Sequence, residues 1–135
     1  MTAPTLRWKQ SNTATYNLGY HLIWCCKYRR KVLVGDIEAR LRELLYMKAS
    51  EMQMVIETME VMPDHVYLFV KALPIHAPHW VAGQLKGYTS RVLRAEFKTL
   101  KSRLPTLWTR SYYVESVGHI SETTIRQYIL DQKNA

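Results

Sequence analysis

A strict alternation follows a Pro-Asp turn in the stretch Met62-Pro63-Asp64-His65-Val66-Tyr67-Leu68-Phe69-Val70-Lys71-Ala72, and it restricts what this chain can fold into more than any other feature. Side chains on an extended strand point alternately to its two faces, so Val66, Leu68, Val70 and Ala72 fall on one side. That side is a core surface. His65, Tyr67, Phe69 and Lys71 fall on the other: an imidazole, a phenol, an aromatic ring and a cation, a set that suits the floor of a reactive site. Residues 53–62 before the turn have β character, so the two runs form an antiparallel hairpin around Pro63-Asp64.

The other elements are read around that hairpin. Residues 18–28 contain Leu18-Gly19-Tyr20-His21-Leu22-Ile23-Trp24-Cys25-Cys26, apolar on both faces as a central strand would be. Lys27-Tyr28-Arg29-Arg30-Lys31 follows at once as a strongly basic loop. Asp36 is placed to cap a helix that carries Ile37, Leu41, Leu44, Leu45 and Met52 on one stripe. After Pro74 and Pro78 a long helix is expected from about His79 to Leu100, with Val81, Leu85, Tyr88, Val92 and Ala95 at helical spacing. On its other side Arg91, Arg94, Lys98 and Lys101 recur at i, i+3, i+7 and i+10, which is either a phosphate-tracking stripe or an ordinary solvated face. Pro105 ends it. Residues 107–118 read as a fourth strand, and Ser121 offers the N-cap of a final helix with Ile125, Tyr128, Ile129 and Gln132 on one face. Residues 1–17 are polar and aperiodic, and are expected to be a flexible arm that orders only against a partner.

The order β-α-β-β-α-β with an added C-terminal helix gives an α+β, ferredoxin-like (RRM-like) antiparallel sheet. The two long helices should cover the face of Val66, Leu68 and Val70, leaving the His65 face for the final helix, a ligand or a second subunit. A chain of 135 residues, 47% of them hydrophobic, suits one domain spanning 1–135. Nineteen Lys and Arg against 11 Asp and Glu give a formal charge of +8, which points to a polyanionic partner, nucleic acid first. Cys25 and Cys26 are adjacent on a strand and point to opposite faces, so neither a disulfide framework nor a zinc quartet is available, as fits a reducing cytoplasm. No signal peptide or membrane span is legible.

Laying the final helix over the open face brings Tyr128 and Gln132 toward His65. A tyrosine can attack a phosphodiester and leave a covalent phosphotyrosine if its proton is removed and a cation stabilises the crowded phosphate. Free tyrosine, with a pKa of about 10, needs that activation. On residue pattern alone Tyr128, beside Ile125 and Ile129, reads as a core tyrosine, His65 as a polar residue at a strand start and Gln132 as surface.

Several motifs, in this order, resemble the single-tyrosine HUH transposases, the IS200-like TnpA proteins of the smallest bacterial insertion sequences. They are Tyr20-His21-Leu22-Ile23-Trp24-Cys25 with Lys27-Tyr28-Arg29-Arg30, then Met62-Pro63-Asp64-His65-Val66, then Leu85-Lys86-Gly87. Trp108, Ser111-Tyr112-Tyr113 and Ser121-Glu122-Thr123-Thr124-Ile125-Arg126-Gln127-Tyr128-Ile129 with Gln132 complete the set. The resemblance implies an enzyme that cuts and rejoins single-stranded DNA at element ends through a 5'-phosphotyrosine intermediate, recognising subterminal hairpins. It also implies a homodimer with composite sites, joined through its sheets. Tyr128 matches the nucleophile, and Mg²⁺ or Mn²⁺ would be held at the positions of His65, Tyr67 and Gln132. DNA contact is expected from Lys27, Arg29, Arg30 and Lys31, from Lys86, and from Arg91, Arg94 and Lys98.

One position departs from the family's His-hydrophobe-His strand: Tyr67 stands where the second histidine belongs. A protonated phenol is a poor ligand beside a neutral imidazole. Three readings stay open: a weakened site of His65, Gln132 and water; an inactive relative that binds hairpin DNA; and ligation by a Tyr67 phenolate. An RRM-type RNA binder is a further option, with only Tyr67 and Phe69 as stacking rings on that strand. His21, His76, His79 and His119 receive no role.

Overall fold

The computed structural model describes residues 9–10, 15–16, 18–116 and 122–132. β1 (Lys9–Gln10) and β2 (Thr15–Tyr16) form a short antiparallel ladder, Lys9 opposite Tyr16. The main sheet is built from β3 (Gly19–Cys25), β4 (Val55–Met62), β5 (His65–Lys71) and β6 (Tyr113–Glu115), in the order β4-β5-β3-β6 with every neighbour antiparallel. With α1 (Gly35–Glu51) between β3 and β4, and α2 (Pro78–Glu96) and α3 (Lys98–Arg103) between β5 and β6, this is the ferredoxin-like α+β fold. α4 (Glu122–Asp131) follows the sheet.

The hairpin forms as its alternation requires. Met62 pairs with His65 across the two-residue turn, and a bulge between Ile56 and Thr58 shifts the register further along β4. Val66, Leu68 and Val70 are fully buried in one cluster with Leu22 and Trp24 of β3, Leu41, Leu44 and Leu45 of α1, and Val81, Leu85 and Leu93 of α2. The two long helices therefore cover this face, as the sequence indicates.

Four expectations need correction. Asp36 is not the cap of α1: the helix starts at Gly35, whose φ of +57° suits a residue without a Cβ, and Asp36 lies in the first turn, where its negative charge complements the positive end of the helix dipole. The helix expected from 79 to 100 breaks at Phe97 (φ −117°, ψ 93°), which turns the chain so that Phe97 packs on the core. The first strand stops at Cys25, because Tyr28 and Arg29 adopt left-handed φ of 57° and 51°. The fourth strand is three residues long, preceded only by an isolated bridge between Cys26 and Trp108, since Lys86 takes the carbonyls of Thr109 and Ser111 that a longer ladder would use. The Ser121 cap, Val117 and Gly118 lie outside the described residues.

Candidate active site

The sheet face away from α1 and α2 carries His21, Ile23 and Cys25 of β3, His65, Tyr67 and Phe69 of β5, and Tyr113 and Glu115 of β6, by the alternation of each strand and its register. Asp64, only 7% exposed, closes the turn into β5. Its carboxylate accepts a hydrogen bond from Arg29 Nε at 3.1 Å and lies 2.8 Å from His65 Nδ1. A carboxylate at Nδ1 keeps the proton there, leaving the Nε2 lone pair for another partner. Burial would raise the Asp64 carboxyl, but the hydrogen bonds and charges of His65 and Arg29 outweigh it and hold the group below the usual carboxylate value.

Tyr67 takes a different course. Its hydroxyl lies 2.7 Å from His21 Nδ1, and the two rings stack with centroids 5.9 Å apart. His21 is paired with Phe69, the next open-face residue after Tyr67, so the phenol leans along the strand away from His65. His21 stacks on Phe69 at 4.5 Å, and the Phe69 ring fills the space where a Cβ on Gly19 would come within 2.9 Å of it. Burial, with the Glu60 charge beside it, pushes the Tyr67 phenol above its usual value, which runs against a phenolate ligand.

α4 supplies the remaining groups and contacts β3. The Tyr128 hydroxyl is 3.4 Å from Ser111 Oγ, and its ring is 5.7 Å from that of Tyr113. The Ser111 hydroxyl donates to Gln132 Oε1 at 2.7 Å, so one serine reaches two side chains a helical turn apart. Burial pushes the Tyr128 phenol up to about 12, with Cys25 adding to the rise and Ser111 drawing it back. It is therefore protonated at neutral pH and must lose its proton before attacking anything. Tyr128 packs on Tyr113, an open-face residue paired with Ile23, and Thr109 N bonds to the carbonyl of Cys25, the residue paired with His65, so Ser111 and Tyr128 lie on that face toward the end of the sheet where His65 sits. Cys25 itself is inert, its thiol pushed up to about 11 by burial and by Asp64. Among the described residues, Tyr128 and Gln132 are joined through Ser111 and His65 is joined to Asp64, and no hydrogen bond links the two sets. Nor do three His, Cys, Asp or Glu side chains cluster as metal ligands among the described residues.

Ser111 is held from below. Lys86 Nζ donates to the carbonyls of Thr109 and Ser111, each at 2.8 Å, with the Tyr112 ring 5.8 Å away. Burial pulls its ammonium down to about 8. Two of the cations expected on DNA, Lys86 and Arg29, are thus committed to protein acceptors. Arg30 and Lys31 are exposed, and Lys27 lies over the Tyr28 ring. The helical stripe is divided by the break at Phe97: Arg91 stacks near Tyr88, while Arg94, Lys98 and Lys101 meet across the bend in a groove of about 360 Å³. Arg94 also donates to the Leu104 carbonyl at 2.9 Å. The residues that sequence reasoning left without a role are His21, Asp64 and Ser111. Asp64 had the one usable signal, a carboxylate directly before the histidine; His21 and Ser111 acquire partners only through strand register and helix docking.

The protein-family model described as "Transposase IS200 like" matches residues 14–132. ISDra2 transposase TnpA of Deinococcus radiodurans is 38% identical over 129 residues, covering 94% of this chain and 92% of its own. The transposase for insertion sequence element IS200 of Salmonella typhimurium is 29% identical over 119 residues, covering 87% and 78%. Among solved structures, a candidate transposase from Deinococcus radiodurans R1 superposes with a TM-score of 0.87 at 36% identity, covering 94% of this chain and 99% of that one. A REP-associated tyrosine transposase bound to a REP hairpin shares the fold, with a TM-score of 0.57 at 13% identity over 90% and 68% of the two chains. No helix of the described residues is long and apolar enough to cross a membrane. The chain belongs to the IS200-like family of transposases.

Proposed function

We propose that this transposase cleaves and rejoins single-stranded DNA at insertion-sequence ends, with Tyr128 as the nucleophile and a 5'-phosphotyrosine intermediate. The observation that carries the reading is the convergence of Tyr128 and Gln132 on Ser111 at the end of the sheet where Asp64 frees His65 Nε2. The phenol oxygen attacks phosphorus, the phenolic proton leaves, and the 3' oxygen departs with its bonding electrons and is protonated. A free hydroxyl then reverses the attack on a new partner, which rejoins DNA without an external energy source.

Mg²⁺ or Mn²⁺ belongs to this reading and would stabilise the charge on the phosphate. His65 suits such an ion through Nε2, and Gln132 through a hard amide oxygen. Tyr67 does not suit it, being protonated and held on His21, so any further ligands would have to be water or phosphate. DNA hairpins are the proposed partner, in keeping with the REP hairpin bound by the fold neighbour. A homodimer with composite sites and a cytoplasmic location complete the proposal.

The Tyr67–His21 pair favours a second reading, a relative that binds hairpin DNA without cutting it. A single-stranded substrate incubated with Mg²⁺ or Mn²⁺ separates the two. A slow-migrating adduct on a denaturing gel, absent from Tyr128→Phe, supports cleavage. Salt-sensitive binding without adduct, unchanged by Tyr128→Phe, supports the binder. An adduct from Tyr67→His but not from the native chain places the fault at that one position.

A further inference from the structure

The loop after β3 holds an exposed tyrosine in a conformation that its own backbone disfavours. Tyr28 and Arg29 are consecutive non-glycine residues with φ of 57° and 51°, in the left-handed region where a Cβ crowds the carbonyl. The shape is imposed by the surroundings. Arg29 N bonds to the Cys26 carbonyl at 2.8 Å, Lys27 N to the Leu107 carbonyl at 2.8 Å, and Cys26 N to the Asp64 carbonyl at 2.9 Å. The Arg29 side chain reaches inward to Asp64 Oδ2. With Arg29 turned in, Tyr28 is turned out: the residue is 48% exposed, although it stands three residues beyond fully buried Cys25.

One cation lies against the ring and two more follow in sequence. Lys27 Nζ lies 5.1 Å from its centroid, and exposed Arg30 and Lys31 follow. An aromatic platform with cations beside it takes an unpaired base on the ring and the adjoining phosphates on the cations. The loop also adjoins the candidate site. The Asp64 carboxylate that receives Arg29 at one oxygen faces His65 Nδ1 at the other, so the group that fixes the loop also orients the histidine.

We infer that Tyr28 is a stacking platform for an unpaired nucleobase of single-stranded DNA, held beside His65 by the Arg29–Asp64 pair. The inference rests on the nucleic-acid reading above and names a base contact within it. It accounts for the strain, because a glycine would relieve the backbone and lose the platform.

The test uses the full chain and a DNA hairpin with a single-stranded extension carrying 2-aminopurine, at low salt. Tyr28→Ala is expected to weaken binding roughly tenfold and to remove the quenching that stacking causes, while Tyr28→Phe and Tyr28→Trp retain both. Tyr28→Gly should bind as weakly as Tyr28→Ala yet melt no lower than the native chain. Tyr46→Ala, an equally exposed tyrosine on α1, should change nothing. Native affinity and quenching in Tyr28→Ala would overturn the platform and leave the transposase reading intact. A loss of melting temperature in Tyr28→Gly would overturn the strain argument. Failure of the native chain to bind the hairpin at low salt would overturn the nucleic-acid reading itself.

Discussion

The two faces of β5 are built from alternate residues of one strand, yet they hold their side chains by different physics. Val66, Leu68 and Val70 are fully buried, and each is held by many small contacts with no required partner. His65, Tyr67 and Phe69 are partly buried, and each is held by one or two particular groups: Asp64 for His65, His21 for Tyr67 and Phe69. Burial energy grows with area, whereas a hydrogen bond depends on one atom at one distance. Substitutions on the first face should therefore change stability, and those on the second should change chemistry.

Leu68→Ala gives the largest expected effect on stability. It should cost about 3–5 kcal/mol in urea unfolding and leave the DNA affinity of the folded fraction unaltered. A smaller cost, or a selective loss of DNA binding, would break the division between the faces. Asp64→Asn should cost about 2 kcal/mol, since it weakens hydrogen bonds to Arg29 and His65 at once. Its sign with pH is fixed: the folded carboxyl lies below its unfolded value near 3.8, so its contribution is full above that value and disappears as pH falls through the folded one. Acid titration of native and Asp64→Asn chains should therefore converge at low pH.

Lys86→Met should cost about 1–2 kcal/mol, because two carbonyls lose their donor. Here too stability rises with pH, but in a higher window than for the carboxylate. The folded ammonium titrates near 8 and the unfolded one near 10.5, so the unfolded chain holds the extra proton between them. The contribution of this group makes stability rise with pH across that window, and Lys86→Met should lack the rise. Tyr67→Phe should be the mildest, about 1 kcal/mol or less, through loss of the His21 bond. A much larger cost would mean that the open face is organised as a core.

The alternation at 65–72 and the Pro63-Asp64 turn made the hairpin and the helix-covered face readable, because period and turn chemistry are local. What could not be read depended on packing. The break at Phe97 follows from a ring drawn to the core against helical spacing that runs on to Leu100. The shortness of β6 follows from Lys86 crossing from α2 to the chain's own carbonyls, and no sequence period announces that. In the candidate site, Tyr128, His65 and Gln132 were recognisable by family resemblance, but Ser111 and His21 became visible only when α4 and β3 were in place. Arg29 and Lys86, both expected on DNA, instead turn inward onto Asp64 and onto the Thr109 and Ser111 carbonyls.

The central claim is that Tyr128 forms the covalent bond to DNA. The most direct measurement incubates the native chain with a single-stranded substrate and Mn²⁺, digests the DNA with nuclease and the protein with trypsin, and weighs peptide 127–133 by mass spectrometry. The account predicts a nucleotide remnant on Tyr128, at higher yield in Tyr67→His. A remnant on another residue, or none in either chain, would contradict it.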